Sequence, residues 1–305
     1  MLQFLARRIV LALLVGLTVL SISFTLTRLS GDLAISIAGP NATAEDIAQV
    51  RKNYGLDRPL PVQFADWVGH AATGDLGESY FYKGSVSGLI AERLPVTLTL
   101  GLVGLAIALA VALPLGILAA LYEGTAIDRV ASLIAMIGQA MPSFWLGLVL
   151  MITLGLKLQW LPISGTGSWE NFVMPGVALA FTGIPALMRL TRTGMIEALA
   201  ADYIRTARAN GLGRTSIVLK HALRNAAMPV VSIATVQFGF MLGGSIVIEV
   251  VFALHGIGYL AWESILKNDF PVVQAVVLLL ATIYVGLTLL ADLLNAVLDP
   301  RLRAS

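Results

Sequence analysis

Six apolar stretches, each near the roughly 20 residues a helix needs to cross a bilayer, constrain this chain more than any other feature. They cover residues 9–27, 96–121, 130–156, 172–188, 228–252 and 271–291. Apart from Glu249 in the fifth, none contains Asp, Glu, Lys or Arg. In hydrocarbon every backbone N–H and C=O must be satisfied within the chain, and a helix does this locally. The expected fold is therefore an all-α integral membrane protein with six transmembrane helices. Hydrophobic residues make up 57% of the chain and charged ones 12%, about half the charged share of a soluble domain. A soluble enzyme and a disordered chain are thereby set aside. Cysteine is absent, which removes disulfides, Cys-ligated zinc, iron–sulfur clusters and thiol nucleophiles.

The first stretch has two readings. Arg7 and Arg8 resemble the positive start of a signal peptide, with small residues such as Ala38 following. The apolar run is longer than a typical signal core and no clear cleavage site ends it, so a retained helix is expected.

Orientation follows from where the basic residues sit. With six spans both termini share a side. That side holds Arg7, Arg8, Arg129, Arg189, Arg192, Arg205, Arg208, Arg214, Lys220, Arg224, Arg301 and Arg303. The other holds Arg28, Arg51, Lys52, Arg58, Lys83, Arg93, Lys157 and Lys267, spread over far more loop residues. Both termini are therefore expected in the cytoplasm. The net charge of +2 is explained by this asymmetry and does not call for a nucleic acid partner.

Two polar segments remain, on opposite sides. In the outer one, residues 31–94, Thr43-Ala44-Glu45-Asp46 reads as a helix start and Gly55 as its end. Pro61 opens a second helix whose apolar face is Phe64, Trp67 and Val68. Gly74-Asp75-Leu76-Gly77 reads as a turn, and residues 87–94 as a short interfacial helix feeding the second span at Pro95. The segment is read either as a cap on the bundle or as a docking surface. Asn41-Ala42-Thr43 matches a glycosylation acceptor, a short motif best explained by chance.

In the inner segment, residues 189–227, Ile196, Leu199, Ala200, Tyr203, Ile204 and Ala207 recur at helical spacing. Asn210-Gly211-Leu212-Gly213 breaks that helix, and Thr215 or Ser216 caps a second. A solvated basic loop that enforces topology explains the arginines but not an ordered amphipathic helix. A protein-docking element explains both.

At these residues a resemblance becomes specific. Tyr203-Ile204-Arg205-Thr206-Ala207-Arg208-Ala209-Asn210-Gly211, followed by Lys220-His221-Ala222-Leu223-Arg224-Asn225-Ala226-Ala227-Met228-Pro229, resembles the EAA loop of ABC-importer permeases. More narrowly it resembles the first permease subunits of dipeptide, oligopeptide, glutathione and nickel importers. Tyr54-Gly55-Leu56-Asp57-Arg58-Pro59-Leu60, Gly74-Asp75-Leu76-Gly77-Glu78-Ser79, Leu94-Pro95-Val96-Thr97-Leu98, the run from Gln237 to Glu249 and Asp299-Pro300 are similar to that family too. The chain departs from the general pattern where Glu-Ala-Ala reads Arg205-Thr206-Ala207 and where Leu-Pro reads Leu223-Arg224. This is similar to the peptide branch, and it leaves the generic role of the Glu open at Arg205.

The resemblance implies a type I ABC importer permease fold in the bacterial cytoplasmic (inner) membrane. It divides the chain into a first helix (1–30), a periplasmic helical segment (31–94), a permease domain (95–292) with its coupling loop at 195–228, and a tail (293–305). It implies a second homologous permease subunit, two cytoplasmic ATPases carrying ATP and Mg²⁺, and an extracytoplasmic solute-binding protein. Tyr203, Arg205, Thr206, Ala207, Arg208, Ala209, Asn210 and Gly211 are the expected coupling residues, with Tyr203, Arg205 and Arg208 touching the ATPase. This chain itself carries no G-x-x-x-x-G-K-[ST] phosphate loop and is not expected to be an enzyme or to hold a cofactor. It also lacks a row of embedded carboxylates for a proton relay.

Pathway candidates are Gln237, Gly239, Gly243 and Glu249. Gly239 and Gly243 form a small-xxx-small pair that suits close helix packing or pathway width. Glu249 is open to two readings, a solute contact or a structural partner. Pro142 and Pro185 are candidate kinks. His70, His221 and His255 show no metal-ligand spacing. Peptides are the largest solute class of this branch; glutathione, nickel chelates and sugars are alternatives. A membrane enzyme acting on lipid and a passive channel or insertion factor were the competing classes. The enzyme needs a clustered polar site at membrane depth, where the sequence shows only Glu249, and the channel or insertion factor does not need a basic helix–break–helix of this pattern.

Overall fold

A computed structural model of the chain describes residues 2–29, 32–39 and 41–298. The Asp299-Pro300 match and the tail from residue 299 on lie outside those residues, while residues 293–298 continue the last helix. In chain order the helices are α1 (Leu2–Leu29), α2 (Leu33–Ala38), α3 (Ala44–Asn53), α4 (Leu60–Ala72), α5 (Val86–Leu121) and α6 (Ala126–Ala140). Then come α7 (Ser143–Lys157), α8 (Val173–Ala200), α9 (Asp202–Ala209), α10 (Arg214–Val251), α11 (Ile257–Leu266) and α12 (Phe270–Leu298). Among the described residues there is no strand, only an isolated bridge between Glu78 and Ser85.

Four of these helical runs, the ones containing α5, α8, α10 and α12, are long and apolar enough to span a bilayer. The pair α6 and α7 makes a fifth if taken as one span. The apolar stretch counted in α1 is Leu13–Leu29. The chain divides into two compact units, Met1–Val96 with His255–Val285, and Thr97–Leu254 with Gly286–Ser305.

In the first unit the outer segment follows its sequence signals. The Thr43 hydroxyl accepts the Asp46 N–H at 3.2 Å, while the Asp46 carboxylate accepts the Thr43 N–H at 2.9 Å, a reciprocal cap at the start of α3. Gly55 takes φ 62° just past its end, and Pro61 lies in the first turn of α4. Phe64 and Trp67 of α4 pack on Phe24 of α1, with ring centres 5.4 and 6.2 Å apart. Helix α2 was not foreseen; Asp32 starts it by accepting the Ala34 N–H at 3.0 Å.

Residues 87–94 are not a separate interfacial helix. They are the first turns of α5, which runs unbroken through Pro95; a membrane helix tolerates proline where neighbouring groups satisfy the freed carbonyl. The stretch after His255 contains α11. Val86, Ile90, Ile257, Leu260, Val272 and Val276 form the apolar core of this unit. Beside it the buried Asp269 carboxylate accepts the Ser79 hydroxyl and the N–H groups of Tyr80 (3.1 Å) and Phe81 (3.3 Å). The Tyr82 hydroxyl donates to Glu263. These bonds fasten the hairpin after α4 to the α11–α12 corner.

In the second unit α8 is the central element: 72% of its apolar window is buried, against 33% for the window of α10. Glycines bring neighbours close to it. A Cβ placed on Gly116 of α5 would lie 2.6 Å from Thr191 Cβ and 2.8 Å from the Met188 carbonyl oxygen. A Cβ on Gly176 of α8 would meet Val103 at 2.6 Å.

The third expected span is not one helix. It is broken between α6 and α7 by a 99° bend. Pro142 cannot continue the hydrogen-bond ladder and disfavours helical geometry at the residue before it, and Met141 is extended at ψ 128°. The start of α6 is tied to α8 by Arg192, whose Nε and Nη2 donate to Asp128 at 2.7 and 2.8 Å. Pro185, by contrast, sits inside the continuous α8.

Candidate functional site

The loop between α8 and α10 departs from the expected single amphipathic helix. Helix α8 ends at Ala200, and Ala201 is extended (φ −71°, ψ 152°), so the chain turns before α9 begins. Nothing in the sequence marks this corner, because alanine is the best helix former there is. Across the corner the expected stripe holds only in part: Ile204 and Ala207 are buried and Ile196 and Leu199 half-buried, but Ala200 and Tyr203 are exposed. Ile204 and Ala207 of α9 are buried with Met195, Ala198, Ile217, Val218, Ala222 and Ala226. This cluster anchors one face of a helix only eight residues long.

The opposite face is bare. Tyr203, Arg205, Thr206, Arg208, Ala209, Asn210 and Gly211 are all exposed. Of the eight expected coupling residues, only Ala207 is buried, where its small side chain lets α9 seat closely. Arg205 pairs with Asp202 at 3.2 Å, with both side chains well exposed.

Helix α9 ends as the glycine requires. The Gly211 N–H donates to the Arg208 carbonyl at 3.0 Å and the Leu212 N–H to the Ala207 carbonyl at 3.2 Å. That bond pair is the Schellman arrangement, which needs a left-handed residue between its two donors. Gly211 supplies it at φ 77°.

The next helix starts at Arg214 with Gly213 before it, and no side chain caps it. The expected Thr215 or Ser216 cap is thus corrected: both fall inside the helix. Residues Ile217–Ala222 are wound as π-helix, which rotates the following residues relative to an α-helical register. Leu212 and Leu219 are exposed apolar side chains of this loop and the helix after it and were not singled out from sequence. Leu212 was legible as a large apolar residue caught between two glycines. Arg214 lies 5.9 Å over the Tyr122 ring and lines a cavity of about 460 Å³ with Arg208 and Leu212.

The pathway candidates on α10 differ in exposure. Glu249 is fully buried, and its Oε1 accepts the hydroxyls of Thr97 (2.7 Å) and Ser245 (2.9 Å). Gly239 is buried and Gln237 half-buried. Gly243 is exposed, with open space where its Cβ would be. So Gly243 does not serve close packing within this chain. Among the described residues, no three His, Cys, Asp or Glu side chains are grouped to hold a metal.

Residues 112–304 match the family described as "Binding-protein-dependent transport system inner membrane component", and residues 1–101 match its N-terminal component. The chain is 42% identical over 275 residues to the glutathione transport system permease protein GsiC of Salmonella typhimurium, covering 90% of each. GsiC of Escherichia coli O6:H1 is 40% identical over the same length. A protein of Brucella abortus (strain 2308), named as a permease of a peptide transport system, is 38% identical over 306 residues, with 97% of this chain and 98% of that one covered. Among solved structures, an inward-facing form of the MetNI methionine ABC transporter matches with a TM-score of 0.59 at 21% identity. It covers 69% of this chain and 96% of that chain, a likeness of fold. The chain therefore belongs to the binding-protein-dependent inner-membrane transport components, the permeases of ABC importers, and has their type I fold.

Proposed function

We propose that this chain is the membrane-spanning subunit of an ATP-driven importer for peptides or peptide-like solutes, moved by cytoplasmic ATPases that grip α9 and its glycine turn. The observation that carries the coupling assignment is the two-sidedness of α9. Ile204 and Ala207 lock one face into the protein, while Tyr203, Arg205 and Arg208 face outward around a turn of fixed geometry. A rigid lever needs both: an anchored face to transmit displacement, and an exposed cationic face for an acidic partner. On this reading both termini are cytoplasmic. ATP and Mg²⁺ reside on the partner ATPases, a second permease completes the pathway, and a solute-binding protein delivers the cargo. ATP binding closes the ATPases, swings the two levers and opens the pathway outward; hydrolysis resets it.

Glutathione is the second reading of the cargo, favoured by the 42% identity to permeases named for it; it is itself a peptide. Titrating the partner binding protein with a panel of di- and oligopeptides, glutathione and nickel chelates separates these. The coupling assignment is tested by Arg208→Glu in the reconstituted transporter. ATP hydrolysis is expected to continue while uptake falls at least about tenfold, the scale of reversing an interfacial charge. Wild-type uptake by a well-expressed Arg208→Glu protein removes Arg208 from the proposal.

A further inference from the structure

The first unit contains a cavity of about 600 Å³ bounded by α1, α3, α4, the hairpin after α4 and the start of α12. No pathway or coupling residue lines it. Its size is in the range that holds a small ligand, and its polar groups are sorted by depth. The half-buried part carries Arg28, Gln63 and Tyr80; the exposed rim carries Asp75 and Glu78.

Arg28 is the informative group. Its guanidinium lies 4.9 Å over the Phe24 ring, so one face is held. Its Nε is buried without a hydrogen-bond partner, and among the described residues no carboxylate lies within ion-pairing distance. The Gln63 Oε1 on the same cavity wall is likewise buried without a partner, while its amide nitrogen is used by the carbonyls of Leu56 and Arg58. A buried unpaired donor and a buried unpaired acceptor are each costly. Both residues line the same cavity, so a ligand that brings an acceptor to Arg28 and a separate N–H donor to Gln63 suits this wall.

We propose that this cavity is an accessory binding site for a small zwitterionic solute with a free carboxylate, such as a short peptide. The carboxylate is held by Arg28, and the ammonium lies at the Asp75 and Glu78 rim. Arginine recognises a carboxylate through paired N–H donors, and the aromatic walls suit an uncharged middle section. Every residue that lines the site belongs to the first unit.

The choice of a peptide as probe rests on the transport reading; the site itself does not. The test uses the full-length chain, purified in detergent without ATPases, and calorimetric titration with trialanine. Saturable binding at one site is expected. Trialanine amide, which lacks the carboxylate, should bind at least about tenfold more weakly, the scale of a lost charge-assisted pair. The Arg28→Gln protein should bind acid and amide alike. If Arg28→Gln does not fold, the acid–amide comparison on the wild-type chain still decides. No saturable trialanine binding up to about 10 mM, a negligible affinity, overturns the proposal, as does equal binding of acid and amide. An acid preference that survives in Arg28→Gln overturns it too, since the site then lies elsewhere. ATP-driven uptake in the assembled transporter tests transport separately, so a chain that transports but does not bind trialanine here sinks only the cavity.

Discussion

Replacing Gly211 by alanine tests the lever with the least disturbance to its surroundings. Open space surrounds the position, with nothing within 4 Å of a Cβ built there. Alanine therefore meets no neighbour; its entire cost is the backbone at φ 77°. An L-residue held in that left-handed region costs about 1–2 kcal/mol. One to two kcal/mol corresponds to a factor of about 5–30 in a conformational equilibrium. The turn that directs the chain from α9 to α10 should lose its native geometry in that proportion, while the buried Ile204 and Ala207 keep α9 seated. Valine, branched at Cβ, should be worse, and asparagine, which tolerates this region, should recover part of the loss. Gly213 supplies the control: it too has open space around it, but φ is −64°, so Gly213→Ala carries no strain. The assay is solute taken up per ATP hydrolysed by the transporter reconstituted in liposomes. The expected order of coupling is wild type and Gly213→Ala together, then Gly211→Asn, Gly211→Ala and Gly211→Val. If Gly211→Ala and Gly213→Ala both match wild type, the left-handed turn is not what sets the lever.

Gly116→Ala should destabilise the second unit by about 1–3 kcal/mol, the usual cost of overpacking, because the Met188 carbonyl 2.8 Å from the new Cβ is backbone and cannot rotate away; thermal unfolding in detergent reads it. Asp128→Asn leaves Arg192 without its carboxylate partner, and a loss of about 2 kcal/mol is expected, below the 3–5 of a fully buried pair, since the Arg192 side chain is 27% exposed and Glu123 stands 3.8 Å away as a substitute. A double-mutant cycle with Arg192→Gln should recover most of that as coupling. Burial first, and the bond to the Glu263 carboxylate second, push the Tyr82 phenol above its usual range. A raised folded value means that its contribution is intact below the ordinary phenol range and is lost as pH rises through the raised one. Absorbance titration at alkaline pH should show a late phase, shared with the half-buried Tyr80, that Tyr82→Phe reduces; a loss of amplitude from the ordinary phase instead counts against the Tyr82–Glu263 bond.

What was legible in the sequence followed from signals with one physical meaning. The Thr43/Asp46 cap, the proline at the start of α4 and the glycine after α9 each satisfy a specific backbone need, and each is where the pattern put it. The long apolar runs made an all-helical membrane protein nearly unavoidable. What was missed had no local signature. The Ala200–Ala201 corner lies in a run of strong helix formers, and it shifts the buried face before the corner to Met195 and Ala198 while leaving Ala200 and Tyr203 exposed. The Met141–Pro142 bend was signalled by its proline, but a proline alone does not separate a kink from a 99° reversal: Pro185 and Pro95 sit inside unbroken helices. The Asp269 nest and α11 depend on partners nearly 190 residues away in sequence, a distance no periodicity reads.

Glycine shows why the candidate site was only partly legible. Three glycines of this chain do three different things. Gly211 supplies a backbone conformation, Gly116 supplies absence of volume against a carbonyl, and Gly243 does neither within the chain, lying exposed with nothing near it. The sequence flagged Gly211 and Gly243 and passed over Gly116, because a motif marks where a small residue recurs and not what its smallness accomplishes. An exposed glycine that packs on nothing in its own chain, on a helix expected to border a pathway, keeps its meaning open to a surface outside the chain. Glu249, the one charge inside an expected span, was open to two readings, and two hydroxyls hold its Oε1 while no part of it reaches the surface. Its geometry is that of a group that fixes α10 against the start of the second unit's α5 segment. Any contact with solute would first require those hydroxyls to move.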